Sequence, residues 1–305
     1  MFCNLIYWSE GHGININQIV GRKSYQCDIP FRIIRFFEKN NQKYALLYGE
    51  DIRLIADSPV SDLVPLDSRA TERLLAPFRS LEEQSYHLFR QDVQFIKERQ
   101  EYNITEGLEK QIKYFHLPGK VLHVDGDPNY LNKCLMLYKR FHVPVIGIYC
   151  DEKEMPYKVP LWVSEYRPDI LVITGHDAYT KAKGLKSDIS AYRHSKDFVQ
   201  TVKEVRKIVP HLDQLIIFAG ACQSHFESLI RAGANFASSP MRVNIHALDP
   251  VYIVAKLSYS PFSESVKVWD ILRNTITGEK GIGGIESRGV LRVGMPFHPN
   301  IEEET

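Results

Sequence analysis

Gln214-Leu215-Ile216-Ile217-Phe218-Ala219-Gly220-Ala221-Cys222-Gln223-Ser224-His225-Phe226-Glu227 reads as a strand, a tight turn carrying a cysteine, and the start of a helix. The uninterrupted apolar run Leu215 to Ala219 suits a central strand of a parallel sheet, buried on both faces. Gly220 and Ala221 keep the turn small. Ser224 with Glu227 three residues later has the spacing of a capping box, which predicts a helix beginning around His225. Cys222 then lies just ahead of a helix N-terminus, where partial positive charge favours thiolate over thiol. A small buried thiol is an equally good account of Cys222 taken alone.

Working outward, the chain from Pro118-Gly119 onward alternates strands and helices. The expected strands are Lys120 to Val124, Val143 to Tyr149, Ile170 to Thr174, the opening strand, and a short one near Phe236. The expected helices are Asn129 to Phe141, a short one at Leu161 to Tyr166, Ser195 to Val209, His225 to Ala232, Ala247 to Leu257 and Glu264 to Thr275. This pattern predicts a doubly wound, mostly parallel α/β sheet, with working residues at the carboxyl ends of its strands.

The 67–115 region is rich in helix formers and is expected to be a helical linker with a break at Pro77. Leu81, Leu88, Phe95 and Tyr102 recur every seven residues, widened by Phe89 and Ile96. A homodimeric coiled-coil seam and a long helix laid on the α/β domain both satisfy that stripe. Residues 16–66 alternate short β-rich runs (Gln18 to Arg22, Pro30 to Phe37, Lys43 to Tyr48, Ile52 to Ala56) with turn residues. They predict a small antiparallel barrel of SH3-like type. The expected organisation is therefore an N-terminal extension 1–15, a barrel 16–66, a helical linker 67–115 and an α/β domain 116–305.

The 305-residue chain balances 38 Lys and Arg against 37 Asp and Glu. Total charge therefore gives no reason to expect nucleic acid or an acidic membrane surface as partner. No apolar run reaches the roughly 20 residues that span a bilayer. Met1 to Glu10 lacks a basic start and a small-residue cleavage site, and reads as an unsecreted N-terminus. Cys3, Cys27, Cys134, Cys150 and Cys222 are odd in number, with no Cys-x-x-Cys pair, which favours a reducing compartment and no structural zinc. No cofactor is expected.

Three strand ends carry chemistry: Asp125 and Asp127, then Gly175-His176-Asp177, then Cys222. If the strands ending at Thr174 and Ala219 are neighbours, His176 and Cys222 leave the same edge and the imidazole serves as base for the thiol. Pairing favours the nucleophile reading of Cys222. A metal-dependent hydrolase built on His123, Asp125, Asp127 and His176 is an alternative that leaves Cys222 unexplained. A non-catalytic scaffold using the barrel and the long helix is another.

The two apolar strands Ile170-Leu171-Val172-Ile173-Thr174-Gly175-His176 and Ile216-Ile217-Phe218-Ala219-Gly220-Ala221-Cys222 resemble the caspase-like cysteine peptidases, which include gingipains, clostripain and legumains. Those enzymes usually carry Gly directly after the His, whereas here Asp177 follows it, so Asp177 and Cys222 would supply the backbone N–H groups of the oxyanion site. A longer resemblance, from about Gly21 to Pro296, is carried by Gly21-Arg22-Lys23-Ser24-Tyr25, by Phe115-His116-Leu117-Pro118-Gly119-Lys120-Val121-Leu122-His123, and by the stretches around His176 and Cys222. These look like the YabG sporulation peptidases of endospore-forming bacteria.

That resemblance implies a mother-cell cysteine peptidase of late sporulation that cuts spore coat and cortex-associated proteins after basic residues, chiefly Arg, with Cys222 and His176 as catalytic residues. Arg preference calls for a carboxylate. Asp125, Asp127 and Asp249 are the candidates, with Glu227 assigned to the helix cap. Exposed Arg69, Arg73, Arg79, Lys97 and Arg99 leave self-cleavage open.

Overall fold

The structure, a computed structural model, describes residues 13–105 and 115–294, the side chains of 100–105 excepted. Most of the N-terminal extension, residues 1–12, and the side chain of Tyr102 lie outside the described residues. The chain divides into two compact units, Met1–Glu82 and Glu83–Thr305.

The first unit holds five short strands: β1 (Ile19–Arg22), β2 (Phe31–Lys39), β3 (Gln42–Gly49), β4 (Ile55–Pro59) and β5 (Leu63–Pro65). They form an antiparallel sheet in the order β4-β3-β2-β1-β5. Asn40 and Asn41 both take left-handed backbone, φ 52° and 55°, which gives the β2–β3 hairpin the tight turn that asparagine tolerates. Val20, Phe31, Ile33, Ala45, Leu47 and Leu63 alternate inward to make the core of this unit.

Helix α1 (Ser68–Thr105) is continuous through Pro77, so the expected break is absent. Proline removes one main-chain hydrogen bond, and a helix this long keeps its remaining ones. Within the second unit, α1 does not bury the seven-residue row. Ser85, Phe89 and Ile96 are buried, whereas Phe95 is 64% exposed. Phe89 packs on Phe141 and Tyr259, with ring centroids 4.2 and 5.8 Å away. The spacing of four and seven that widened the stripe is thus the packed face.

The second unit continues with β6 (Phe115–Leu117), β7 (Val121–Asp125), α2 (Pro128–Arg140), β8 (Val145–Tyr149), α3 (Met155–Tyr166), β9 (Ile170–Thr174), α4 (Ser195–Ile208) and β10 (Ile216–Ala219). After these come α5 (Phe226–Ala232), β11 (Phe236–Ser238), α6 (Asp249–Tyr259), β12 (Ser265–Val266), α7 (Val268–Leu272), β13 (Ile282–Gly284), β14 (Ser287–Arg288) and β15 (Arg292–Gly294). Six strands form one sheet in the order β13-β11-β10-β9-β7-β8. All neighbours in it are parallel except β11 and β13.

Every residue of β7, β9 and β10 is buried, as their unbroken apolar runs require when helices cover both faces. One face rests on α3 and α4, where Met155, Val159, Val163, Phe198, Val202 and Val205 meet Leu122, Val124, Leu171, Ile173 and Ile217. Burial of this size is the main stabilising term, on the order of 1.5–3 kcal/mol for each large apolar side chain.

Two helices differ from expectation. α3 starts at Met155 rather than Leu161, because Pro156 sits in the first turn, where its missing N–H has no helical partner to lose. The stretch 264–275 is not one helix. Ser265–Val266 pair with Ser287–Arg288 instead, leaving only the five-residue α7.

Candidate active site

β9 and β10 are adjacent and parallel, with Ile170 opposite Ile216 and Ile173 opposite Ala219. The segments carrying His176 and Cys222 therefore leave the same edge of the sheet. β7 lies on the other side of β9, with Asp125 opposite Thr174. Three neighbouring strands thus deliver Asp127, His176 and Cys222 to one edge.

Asp127 is fully buried and divides its carboxylate between two tasks. Oδ1 accepts from the N–H groups of Asn129, at 2.8 Å, and Tyr130, at 3.2 Å, capping α2 ahead of Pro128. Oδ2 lies 2.8 Å from His176 Nε2. The His176 side chain is 10% exposed, and the ring of Tyr130 meets it edge-on, with centroids 5.8 Å apart. His176 N–H donates to Glu152 Oε1 at 2.7 Å, so both main chain and side chain of the histidine are held by carboxylates.

Asp125 is fully buried too. Its Oδ1 accepts from Asp127 N–H at 2.9 Å and its Oδ2 from Thr174 Oγ1 at 2.9 Å. His123 Nε2 contacts Thr174 Oγ1 and His123 Nδ1 contacts Tyr138 Oη, each at 3.1 Å. The four residues of the metal-site alternative are therefore spread along a chain of hydrogen bonds. Among the described residues they do not gather three ligand atoms around one point.

Asp177 ties the histidine segment to the cysteine turn. Its Oδ1 accepts from Ala178 N–H at 2.9 Å and His194 N–H at 2.8 Å. Its Oδ2 accepts from Ser195 Oγ and, at 2.9 Å, from Ser224 Oγ. Ser195 Oγ in turn accepts from His225 N–H at 2.8 Å. Ser224 Oγ accepts from Ala221 N–H at 2.9 Å, so it is a brace of the cysteine turn rather than a helix cap.

The capping box is not formed. α5 starts at Phe226, and its N-cap is His225, whose Nδ1 accepts from Ser228 N–H at 3.3 Å. Glu227 pairs instead with Arg242 at 2.5 Å. Burial would raise its pKa, but its own backbone N–H and Arg242 outweigh that and hold it below the usual range. Ser224 was claimed by a tertiary partner, Asp177, which the local spacing could not reveal.

Cys222 follows Gly220, whose φ of +108° and whose closeness to Ser238 Oγ leave no room for a side chain: a Cβ there would lie 2.6 Å from that oxygen. Gln223, next to the cysteine, holds a left-handed φ of 58°. The thiol is fully buried. Ile245 N–H approaches Sγ at 3.3 Å, and Gln223 N–H donates to Val243 O at 3.0 Å, so the segment Val243–Ile245 runs over the cysteine.

Asp249, the third specificity candidate, is fully buried at the start of α6. It accepts from the N–H groups of His246 (3.1 Å), Ile276 (2.7 Å) and Thr277 (3.2 Å) and from Thr277 Oγ1. Burial raises its pKa against the pull of His246 and those donors. Asp125, Asp127 and Asp249 are alike in having both oxygens engaged by the chain itself. Glu152, Ser195 and Tyr149 sit in no motif; their only signal in the sequence is place, Tyr149 closing β8, Glu152 just beyond it and Ser195 opening α4.

The chain matches the family model described as YabG peptidase U57 over residues 15–296. It is 58% identical over 286 residues to a protein named sporulation-specific protease YabG from Bacillus subtilis (strain 168), covering 93% of this chain and 99% of that relative. No solved structure matches the chain. With matches of that extent, running through both strand ends just described, the chain belongs to the YabG peptidase family.

Proposed function

We propose that this peptidase is a cysteine endopeptidase of sporulation, with Cys222 as nucleophile, His176 as general base and Asp127 as the carboxylate that orients His176. The observation that carries the reading is the meeting of three strand ends, with His176 Nε2 held 2.8 Å from Asp127 Oδ2. A proton kept on Nε2 by that carboxylate leaves Nδ1 as the basic nitrogen. Nδ1 takes the proton of Cys222, and the sulfur attacks the scissile carbonyl. Main-chain N–H groups of Asp177 and Cys222 receive the oxyanion, and the imidazolium returns its proton to the leaving amine. Water then enters against the acyl-enzyme and frees the second product.

Substrate must displace the Val243–Ile245 segment, which covers the sulfur. The sheet order, with nucleophile and base on adjacent parallel strands, supports a caspase-like domain, and the five-stranded antiparallel sheet of the first unit, with β5 returned beside β1, supports an SH3-like one. The substrates we propose are spore coat and cortex-associated proteins in the mother cell, cut after Arg. Support for the sporulation setting comes from the name of the Bacillus subtilis relative. Among the described residues no helix is long and apolar enough to cross a membrane.

Self-cleavage at Arg69, Arg73, Arg79, Lys97 or Arg99 requires α1 to unwind first, since all five lie within it. The test incubates an Arg-containing coat-protein fragment with wild type, Cys222→Ala and His176→Ala, with and without a chelator. Cleavage by wild type alone, unaffected by the chelator, is the expected outcome; cleavage by Cys222→Ala removes the nucleophile assignment. Loss of wild-type activity with chelator restores the metal alternative.

A further inference from the structure

One acid at the site lacks what the others have. Glu152 lies in the segment that leaves β8, and its side chain reaches over the end of β7 to the end of β9. Two glycines make room for it: a Cβ at Gly126 would lie 2.3 Å from its Oε1, and one at Gly175 would lie 2.5 Å from the same atom. Oε1 accepts from His176 N–H at 2.7 Å. The residue is only 6% exposed. Among the described residues Oε2 accepts no hydrogen bond, and no Lys, Arg or His lies within ion-pair distance of the carboxylate.

A carboxylate with one oxygen on a single neutral donor and the other, unpartnered, not enclosed by the protein is a natural complement for a cation arriving from solvent. Asp125, Asp127 and Asp249 already have both oxygens filled. Near Glu152 stands Tyr149, the last residue of β8, which is 55% exposed. Burial and the nearby charges of Asp151, Glu152 and Asp127 raise its pKa, so the phenol stays neutral in a locally negative field. An aromatic face bordering a buried carboxylate is a fitting seat for a guanidinium, by charge pairing on one side and cation–π contact on the other.

We propose that Glu152, flanked by Tyr149, is the residue that receives the basic side chain of the substrate, in a subsite beside His176. The inference rests on the assignment of His176 and Cys222 above. It transfers the specificity role from the three aspartates to a residue whose Oε1 already holds the main chain of the base. An arriving cation is then linked through one carboxylate to the position of His176.

The experiment compares two peptides identical except for Arg or its uncharged isostere citrulline at the cleavage site. Truncating one partner of a buried charge pair corresponds to about 30-fold or more. Wild type is expected to favour the Arg peptide by at least that factor in kcat/KM, and Glu152→Gln to bring the ratio to within about threefold of unity. The loss should fall mainly on KM for the Arg peptide. An unchanged ratio in Glu152→Gln overturns the proposal, and so does an equal loss on both peptides, which marks a purely positioning role.

Should Glu152→Gln fail to fold, Glu152→Asp takes its place, with the charge kept but withdrawn by one methylene. Its ratio is expected to fall, and an unchanged ratio overturns the proposal in the same way. Cys222→Ala is run beside these variants. Cleavage by Cys222→Ala at the wild-type ratio would defeat the nucleophile assignment while leaving the subsite standing.

Discussion

Replacing Asp127 by Asn separates the two tasks of that carboxylate. In the native protein Oδ1 accepts from two N–H groups of α2, and Oδ2 accepts from His176 Nε2 at 2.8 Å. An amide has one acceptor oxygen. If that oxygen keeps the cap, the NH₂ group faces Nε2 and drives the imidazole proton to Nδ1, the nitrogen that should take the thiol proton. If the amide flips, the NH₂ faces two N–H donors and the cap is lost, at about 1 kcal/mol. In either case a charge-assisted hydrogen bond of about 1.5–3 kcal/mol is given up. Asp127→Asn is therefore expected to unfold in urea with a loss of at most about 3–4 kcal/mol, yet to lose ~10²–10⁴-fold in kcat, the usual scale of positioned acid–base catalysis. The assay is steady-state cleavage of an Arg peptide at a temperature where urea curves show the variant folded. A folded Asp127→Asn with kcat within about threefold of wild type refutes the orienting role.

Further predictions concern stability and the other thiols. Asp92 on α1 pairs with Lys256 and Arg273 and accepts from Asn274 at 3.0 Å. Asp92→Ala leaves the largely buried Lys256 uncompensated and should lower unfolding free energy by about 3–5 kcal/mol in urea titration. Burial alone would raise the pKa of Asp92, but Lys256, Asn274 and Arg273 outweigh it and hold the carboxyl low. A depressed folded-state pKa gives stability that is present above the unfolded value near 3.9 and lost as pH falls through the folded one. Acid unfolding curves should accordingly be steeper below about pH 4 in wild type than in Asp92→Asn. Burial pushes the Cys150 thiol up to about 11, so iodoacetamide at neutral pH should leave Cys150 unmodified in the peptide map. Gly220→Ala, forced into φ +108° against Ser238 and Leu229, should cost about 1–3 kcal/mol and be measurable as a lowered thermal midpoint.

The sheet was legible where physics leaves little choice. Val121 to Asp125, Ile170 to Thr174 and Ile216 to Ala219 are apolar runs covered on both faces, and their burial agrees with that reading. The adjacency of β9 and β10 was only a condition of that reading, since apolar runs do not set strand order; their parallel register supplies it, and with it the shared edge of His176 and Cys222. β13, in contrast, is Ile282-Gly283-Gly284, two of whose three residues are glycines disfavoured in strands, and it is held as a strand by pairing with β11. Ser265 and Val266 are likewise taken from a helical pattern by Ser287 and Arg288, some twenty residues on.

The roles of single polar residues were less legible, because each is decided by a distant partner. Asp127 reads as a turn until His176 is placed beside it, 49 residues later. Asp249 looks available for a ligand until Thr277, 28 residues away, fills its oxygens. Ser224 has the spacing of a cap, and Asp177 takes it from across the strand. Glu152 has no local signature, and what marks it is the pair of glycines that make way for its carboxylate.

The central claim is that the thiol of Cys222 does the chemistry, and active-site titration tests it most directly. Enzyme inactivated stepwise with iodoacetamide in the presence of a chelator is digested and mapped, and modification at each cysteine is plotted against residual activity on an Arg peptide. Activity should fall one-for-one with modification of Cys222 and bear no relation to that of Cys3, Cys27, Cys134 or Cys150. Full activity in enzyme whose Cys222 is completely modified would contradict the account.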